Sequence, residues 1–214
     1  MKIVTVLKTG GDFDVDYVGS IANRVPAEYE FVCLSDDDRV PGYIPFQYNY
    51  PTWWSKMEMF RPDIIDDDIF YVDLDTVVRN DITEELKSIE QLDSLTMLSD
   101  FYKPENPASG VMFVPNSIRQ YIWNQWLTNT PSNIIATMRG DQDFIGSLFS
   151  DVQRFDEVID KEWICSYKAH IKKSHPKHIR PANIDYKKSK IVCFHGKPRP
   201  RDISDGDMNA IFND

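Results

Sequence analysis

The chain has little of several features that mark other classes of protein. It contains no run of about 18 consecutive apolar residues, which a membrane-spanning helix requires. Its first residues lead straight into a strand-like pattern and lack the long apolar segment and cleavage site of a signal peptide. Cysteine is scarce, and Cys33, Cys165 and Cys193 lack the spacing of a metal site. We therefore expect a cytoplasmic protein with reduced, mostly buried thiols and no transmembrane segment.

Basic residues are outnumbered, but they are concentrated in one part of the chain. The 24 Lys and Arg against 34 Asp and Glu give a net charge of −10, which argues against nucleic-acid binding. Residues 161–201 nevertheless hold 12 of those 24 basic residues and only two acids. We interpret this basic segment either as a solvated surface or as a cover for an anionic substrate such as a diphosphate. Contact with a membrane would be peripheral at most.

The order of apolar and polar segments predicts the fold class. With 214 residues, 42% of them hydrophobic, the chain suits a single domain over 1–214 with a sizeable core. Strand-like and helix-like segments alternate, which indicates an α/β protein whose central sheet is flanked by helices. The predicted strands are 2–7, 31–34, 69–73, 95–98, 111–114 and 191–194. The predicted helices are 15–25, 53–60, 117–127 and 141–149, another helix opens near 81, and 39–52 are a loop.

Two carboxylates stand two residues apart in the apolar run of residues 69–78. In an extended strand, Asp73 and Asp75 would point to the same side. Such a buried pair repels itself unless a cation lies between the two groups, and a hard divalent ion with oxygen ligands is the obvious candidate. The pair therefore predicts an enzyme that acts on a phosphorylated donor. The alternative is that this Asp-x-Asp only caps a helix or lies on a solvated loop.

Three polar segments are predicted to meet at one edge of the sheet. Thr9–Asp12 follows the first strand, Ser35–Asp38 follows the second, and the pair of Asp73 and Asp75 follows the third. Open α/β sheets bind ligands beside the carboxyl ends of their strands. Their convergence is stronger evidence for a binding site than any one of these segments.

A further motif, His195-Gly196-Lys197, ends the last predicted strand. The imidazole could be a third metal ligand, and an Asp/Asp/His set favours Mn²⁺ over Mg²⁺. Gly196 would let its backbone N–H approach an oxyanion closely, and Lys197 would neutralise phosphate charge. A purely structural histidine is the alternative interpretation.

Six motifs occur in an order that resembles one enzyme family. The chain is similar over about residues 2–198 to metal-dependent glycosyltransferases of the GT-A (Rossmann-like) fold, in particular to family 8, with residues 199–214 as a tail. This family includes glycogenin and bacterial lipopolysaccharide galactosyltransferases. The fold has a mixed, mostly parallel sheet. The motifs are Thr9–Asp12, Trp53–Pro62, Tyr71–Thr76, Ala108–Phe113, Gly140–Phe144 and Phe194–Pro198.

The resemblance implies roles for the residues that match the family's metal and diphosphate site. Asp73 and Asp75 would be the metal-binding pair, and Asp73 could also contact the ribose. His195 would be the third protein ligand of Mn²⁺ or Mg²⁺. Gly196 and Lys197 would hold the diphosphate. The family's longer spacing between this histidine and lysine is compressed here, so the diphosphate loop is expected to differ.

The resemblance also implies where the nucleoside lies. Thr9, Gly10 and Asp12 would face the nucleoside of the donor, with Asp36 or its neighbour Asp37 near the base. The donor would be a nucleotide-sugar, most often UDP-linked. Lys56 would match a basic residue at the donor.

The implied reaction is transfer of a hexose from the nucleotide-sugar to a hydroxyl group of a glycan, lipid-linked or protein acceptor. Family 8 enzymes retain the anomeric configuration, and Asp141 and Gln142 would match the Asp-Gln pair beside the transferred sugar. An inverting enzyme would instead need a carboxylate base, for which Asp141 and Asp143 are candidates. Relatives often have Asn before the small residue and Gly of Ala108-Ser109-Gly110, so the sugar stays open.

Two other classes are considered. A nucleotidyltransferase that makes the activated sugar typically carries Arg and Lys in a Gly-rich loop after the first strand, where this chain has acids in residues 9–14. A non-catalytic nucleotide-sugar or glycan-binding protein would be favoured by loss of the metal pair, and both carboxylates are present. The transferase is therefore the favoured prediction.

Overall fold

The computed structural model describes residues 1–176 and 181–213. Residues 177–180 of the basic segment lie outside this part of the chain. The strands are β1 Lys2–Leu7, β2 Glu30–Ser35, β3 Tyr43–Pro45, β4 Ile69–Val72, β5 Thr76–Val78, β6 Thr96–Ser99, β7 Pro107–Val114, β8 Gln153–Arg154, β9 Ile164–Ser166 and β10 Ile191–Cys193.

The helices connect these strands on both faces of the sheet. The α-helices are α1 Val15–Ala22, α2 Thr83–Ile89, α3 Asn116–Thr128, α4 Pro131–Thr137, α5 Asp141–Ser147, α6 Phe155–Val158 and α7 Asp205–Asn213. Short 3₁₀-helices span Thr52–Phe60 and Pro200–Asp202, and a π-helical turn spans Tyr167–Ile171. Across the part of the chain that the structure describes, every helix is too short or too polar to cross a membrane.

The central sheet is mixed and mostly parallel, as predicted. Its strand order is β3-β2-β1-β4-β7-β6-β8. β3, β2, β1 and β4 run parallel to one another, and β7 is antiparallel to both β4 and β6. The carboxyl ends of β1, β2 and β4 therefore lie side by side, which places the polar segments that follow them at one edge.

The strands of the central sheet are nearly continuous hydrophobic runs because helices cover both faces of the sheet. In β1, Ile3 and Leu7 pack against α1 and α2, whereas Val4 and Val6 face the 3₁₀-helix of Thr52–Phe60 and α3. Successive residues of a strand point to opposite faces, so helices on both sides bury all of β1 beyond Lys2. The site at the strand ends therefore stands on a rigid base.

A smaller sheet lies beside the first and supports the C-terminal loop. It pairs β10 with β5 and β9. Cys165, Val192 and Phe194 pack there with Ile211 of α7, so the segment predicted as a tail contributes to a hydrophobic core. All three cysteines are buried and free, which confirms that prediction. This sheet fixes the starting point of the loop that follows β10.

Several local predictions need correction. Residues 39–52 contain the edge strand β3, which the prolines and glycine of that segment obscured. α1 ends at Ala22, three residues before the predicted end. These errors concern surface positions and leave the predicted sheet intact.

Candidate active site

The segments that follow β1 and β2 meet at the edge of the central sheet. The Thr9 backbone N–H donates to Asp36 Oδ1 at 2.9 Å, and the Thr9 hydroxyl donates to Asp36 Oδ2 at 3.0 Å. The Lys8 ammonium donates to the same carboxylate. Although burial opposes the change, these hydrogen bonds lower the pKa of Asp36. Thr9 and Asp36 are therefore in direct contact, and Gly10 turns the chain beside them with φ 90°.

Asp73 and Asp75 do not lie in one extended strand. β4 ends just before Asp73, whose carbonyl accepts from the Thr76 N–H at 3.1 Å and closes a turn. The prediction that both side chains project together from a strand is wrong for this reason. Asp73 bonds to Lys56, whereas Asp75 bonds to Arg199.

The first group of charges, the Lys56 cluster, consists of Lys56, Asp73 and Asp141. Lys56 Nζ lies 2.9 Å from Asp141 Oδ2 and 3.1 Å from Asp73 Oδ1. It also donates to the carbonyl and hydroxyl of Ser109 on β7, both at 3.3 Å. The side chains of Lys56 and Asp141 are only 5% and 8% exposed. The structure thus joins three residues for which the sequence predicted separate roles.

The electrostatics of this cluster are set by burial and by its two carboxylates. Burial alone would lower the pKa of Lys56, but Asp141 and Asp73 raise it above its ordinary value, so the ammonium stays charged. Burial raises the pKa of Asp73 to about 6, against the attraction of Lys56 and with repulsion from Asp75 and Asp141. The Tyr71 hydroxyl donates to Asp73 as well. The charged form of the Asp73 carboxylate is therefore stabilised by hydrogen bonds from Lys56 and the Tyr71 hydroxyl.

The second group, the Arg199 cluster, consists of Arg199, Asp75 and Asp12. Arg199 Nη1 donates to Asp75 Oδ2 at 2.6 Å, and Arg199 Nε donates to Asp12 Oδ2 at 3.3 Å. The Gly196 N–H donates to the same Asp75 oxygen at 3.1 Å. Lys197 Nζ stands 3.7 Å from Asp12 Oδ1. The loop after β10 therefore folds over the end of β4 and turns its donors toward Asp75.

His195 has a set of partners of its own. Its Nε2 is hydrogen-bonded to the Ser166 hydroxyl, and its ring stacks on Phe101 with centroids 5.2 Å apart. The edge of Tyr102 lies against the same ring. Burial and the neighbouring Lys168 ammonium lower the pKa of His195 to about 4, so the imidazole is neutral at neutral pH. A neutral imidazole is the form that could ligate a metal, but its Nε2 is already occupied.

The three predicted metal ligands do not form a metal site in this arrangement. In the described part of the chain, no three His, Cys, Asp or Glu side chains come together as ligands. Asp73 bonds to Lys56, Asp75 accepts from Arg199, and His195 bonds to Ser166. Two carboxylates and an imidazole would suit Mn²⁺ chemically, but their positions do not fit the ion.

Residues 140–143 place the predicted sugar-binding pair beside the Lys56 cluster. α5 begins at Asp141, which is buried, and Gln142 is half-buried next to it. Gly140 precedes the helix, and a side chain there would approach the Trp53 indole nitrogen at 3.5 Å. Trp53 is 55% exposed. An exposed aromatic ring and a half-buried amide therefore flank the buried charges, an arrangement that suits a sugar.

The sequence did not predict the residues of the site whose bonding partners are distant in the chain. Arg199 and Asp75 are 124 positions apart, and Ser166 is 29 positions from His195. Lys168 Nζ donates to the His195 carbonyl at 2.7 Å, which is another contact between residues distant in the sequence. The surplus of basic residues in 161–201 was the signal that could have pointed to them.

Solved structures share this fold at low sequence identity. The glycosyltransferase GlyE of Streptococcus pneumoniae TIGR4 matches with a TM-score of 0.62 and 15% identity over 93% of this chain. The galactosyltransferase LgtC, solved with donor and acceptor sugar analogues, matches with a TM-score of 0.62 and 15% identity over 94% of this chain and 89% of its own. Mouse xyloside xylosyltransferase 1 matches at 0.55 and 12% identity, over 91% of this chain and 97% of its own.

These similarities concern the fold. The chain has the GT-A fold of glycosyltransferases, as the sequence motifs predicted. It covers 55% of the GlyE chain, about half of that protein's length. No family model matches the chain, and no curated protein matches it by sequence.

Proposed function

We propose that this chain transfers a hexose from a nucleotide-sugar, with UDP as the nucleotide, to a hydroxyl group of a glycan, lipid-linked or protein acceptor. The observation that carries the proposal is the loop of residues 195–199, which folds over Asp75 at the end of β4. Backbone donors and basic side chains at the carboxyl edge of a parallel sheet suit a diphosphate. The fold shared with LgtC and GlyE, both glycosyltransferases, supports the same reaction class.

The nucleotide-sugar would lie along the carboxyl edge of the sheet, with its nucleoside at one end and its sugar at the other. Thr9 and Asp36 offer a hydroxyl and a carboxylate to the nucleoside at the ends of β1 and β2. The diphosphate would lie over Gly196 and Lys197. The transferred sugar would then reach Gln142, which is half-buried beside the Lys56 cluster.

In the transfer step, the bond between the anomeric carbon and the β-phosphate oxygen breaks, and its electron pair stays on the departing nucleoside diphosphate. The acceptor oxygen forms the new bond to the anomeric carbon and gives its proton to the departing phosphate. The Lys197 ammonium would stabilise the charge that builds on the β-phosphate, and the Gly196 N–H would add to it on turning from Asp75 Oδ2 to the phosphate. The Gln142 amide would hydrogen-bond to the sugar and hold the anomeric carbon in position.

We further infer that the anomeric configuration is retained. Inversion needs a carboxylate base that is free to accept the acceptor proton. Asp141 is buried, and its Oδ2 lies 2.9 Å from the Lys56 ammonium, so this carboxylate is already paired with a cation. Attack on the leaving group's own face needs no protein base. Asp143, which is exposed, is the residue that an inverting mechanism would have to use.

Mn²⁺ or Mg²⁺, which the family resemblance implies, would supply positive charge to the diphosphate when bound. To bind at Asp75 Oδ2, the ion would have to displace Arg199 and the Gly196 N–H from that oxygen. The cytoplasmic location predicted from the scarce cysteines is part of the proposal as well.

The test is release of UDP from a panel of UDP-hexoses, measured by mass spectrometry with and without simple sugar acceptors. We expect release with at least one donor, and a loss of about 100-fold in kcat for Gln142→Ala because one transition-state hydrogen bond is removed. Gln120→Ala, the same change at an exposed position of α3, is the matched control and should keep full activity.

The anomeric proton coupling of the product, read by NMR, tests retention. A product with inverted configuration, together with loss of activity in Asp143→Asn, would contradict the same-face mechanism. Nucleotide binding without release from any donor would show a non-catalytic binding protein and would overturn the proposed activity.

A further inference from the structure

Arg199 is the one side chain of the site that neither the motifs nor the proposed reaction explains. Its Nη1 lies 2.6 Å from Asp75 Oδ2, its Nε lies 3.3 Å from Asp12 Oδ2, and its guanidinium stands 4.5 Å above the Phe13 ring. Two carboxylates and an aromatic face therefore fix the plane of the group. A planar guanidinium held in this way is already oriented for hydrogen bonds to phosphate oxygens.

Arg199 occupies an oxygen of Asp75, which is one of the predicted metal ligands. Asp75 Oδ2 accepts both from Arg199 Nη1 and from the Gly196 N–H, so both lone pairs of this oxygen are used. His195, the expected third ligand, bonds to Ser166 and is stacked on Phe101. Because no three such side chains come together in the described part of the chain, a metal here would require these residues to rearrange.

The guanidinium of Arg199 is partly exposed and has one nitrogen left to donate. Within the described residues, its Nη2 makes no hydrogen bond, and the Arg199 side chain is 19% exposed. Lys197 is 72% exposed. A ligand that enters over the loop would therefore meet the free Nη2 group and the Lys197 ammonium.

The backbone of the loop adds to this arrangement. His195 and Gly196 have φ values of 35° and 98°, both in the left-handed region, which turns the chain sharply after β10. Lys168 Nζ donates to the His195 carbonyl at 2.7 Å and braces this turn. Lys168, Lys197 and Arg199 thus surround Gly196, so three cations offset the charges of Asp12 and Asp75.

We propose that the guanidinium of Arg199, and not a divalent metal, supplies the positive charge that faces the diphosphate of the donor in this chain. This inference rests on the proposed function, because it names the group that holds the donor of that reaction. Arg199 Nη2, together with Lys197, bonds to the diphosphate oxygens, while Asp75 and Asp12 hold the guanidinium in place.

The test is calorimetric titration of UDP, and of inorganic pyrophosphate, into the metal-stripped protein in excess EDTA and again in Mn²⁺. We expect UDP and pyrophosphate to bind in EDTA with an affinity that Mn²⁺ changes by less than about threefold. Arg199→Ala should weaken both ligands by about 10-fold to 100-fold, since a charge-assisted hydrogen bond is lost. Arg199→Lys should keep part of the affinity, because it restores the charge without the planar fork.

The matched control is Arg201→Ala. Arg201 also bonds to two carboxylates, Asp14 and Asp16, and lies over the Tyr17 ring, so its removal makes the same change in net charge two residues away. The UDP affinity of Arg201→Ala should stay within about twofold of the affinity of the unchanged protein. Thermal unfolding of both variants would show that the fold is intact.

Three results would count against the inference. UDP binding that appears only with Mn²⁺, and that survives in Arg199→Ala, would overturn the role of Arg199 and leave the proposed function standing. Equal loss of affinity in Arg199→Ala and Arg201→Ala would show that only net charge matters and would also overturn it. Absence of binding of either ligand, in EDTA and in Mn²⁺, would overturn the proposed function itself.

Discussion

The Lys56 cluster and the Arg199 cluster stand at the same edge of the sheet but differ in depth. The side chains of Lys56 and Asp141 are 5% and 8% exposed, whereas Arg199 and Asp12 are 19% and 43% exposed. The remaining carboxylates, Asp73 and Asp75, are 33% and 14% exposed, so the difference in depth lies mainly between the two cations. The first cluster is built from elements that pack on the central sheet. The second joins the loop after β10 to the turn after β1.

This difference separates two tasks that charged residues perform in one site. A buried ammonium between two carboxylates cannot leave without exposing unpaired charge to a low dielectric, so the Lys56 cluster fixes geometry. A partly exposed guanidinium can exchange or share its carboxylate partners with phosphate oxygens at little cost. The depth of each cluster therefore indicates whether its cation supports the fold or meets the ligand.

The largest expected effect comes from removing the buried cation. Lys56→Met should lower the free energy of unfolding by about 3–5 kcal/mol, because Asp73 and Asp141 would be left without their common partner. Denaturant-induced unfolding, monitored by fluorescence, measures this loss of stability. In the double variant with Asp141→Asn, the loss should be smaller than for Lys56→Met alone. Equal or larger loss in the double variant would contradict the assignment of Lys56 as the shared counter-ion.

A much smaller effect on stability is expected in the other cluster. Arg199→Ala should change the free energy of unfolding by about 1 kcal/mol or less, since both of its partners keep access to water. The same unfolding experiment on Arg201→Ala provides the comparison. If Arg199→Ala destabilised the protein as much as Lys56→Met, the contrast between the two clusters would be lost, and Arg199 would be a structural residue.

The third expected effect is a pH dependence that belongs to the Lys56 cluster. Because the pKa of Asp73 is raised from 3.8 to about 6, folding favours its protonated form. The stability that protonated Asp73 contributes is fully present below its ordinary pKa of 3.8 and is lost as the pH rises through about 6. Asp73→Asn should therefore gain in stability relative to the unchanged protein as the pH rises from 4 to 7. Asp75→Asn is the control, and a gain of the same size there would argue against the assignment.

The sequence predicted the parts of this molecule that depend on local pattern. Short apolar runs located β1, β2, β4, β6 and β10, and polar residues after them located the edge where the site lies. The direction of Asp75 could not be predicted, because the choice between a strand and a turn after Val72 is made by pairing with distant segments. The edge strand Tyr43–Pro45 was missed because it depends on its parallel pairing with β2 rather than on its own composition.

The contacts that distinguish this site could not be predicted from the sequence, because they too depend on the pairing of distant segments. Arg199 meets Asp75 only because β10 pairs with β5, which brings the loop after β10 back over the turn after β4. The surplus of basic residues in 161–201 marks the segment, but a single sequence carries no signal for which of these residues meets Asp75. The motif His195-Gly196-Lys197 located the loop correctly, but the bond between His195 and Ser166 depends on β9 lying beside β10.

The most direct test of the whole account is a crystal structure of the metal-stripped protein grown with UDP in EDTA. We predict that the nucleoside lies beside Thr9 and Asp36 and that the diphosphate lies over the loop of residues 195–199, with the Arg199 guanidinium within hydrogen-bond distance of a phosphate oxygen. A nucleotide bound elsewhere on the molecule, or a diphosphate at this edge that Arg199 does not contact, would contradict the account.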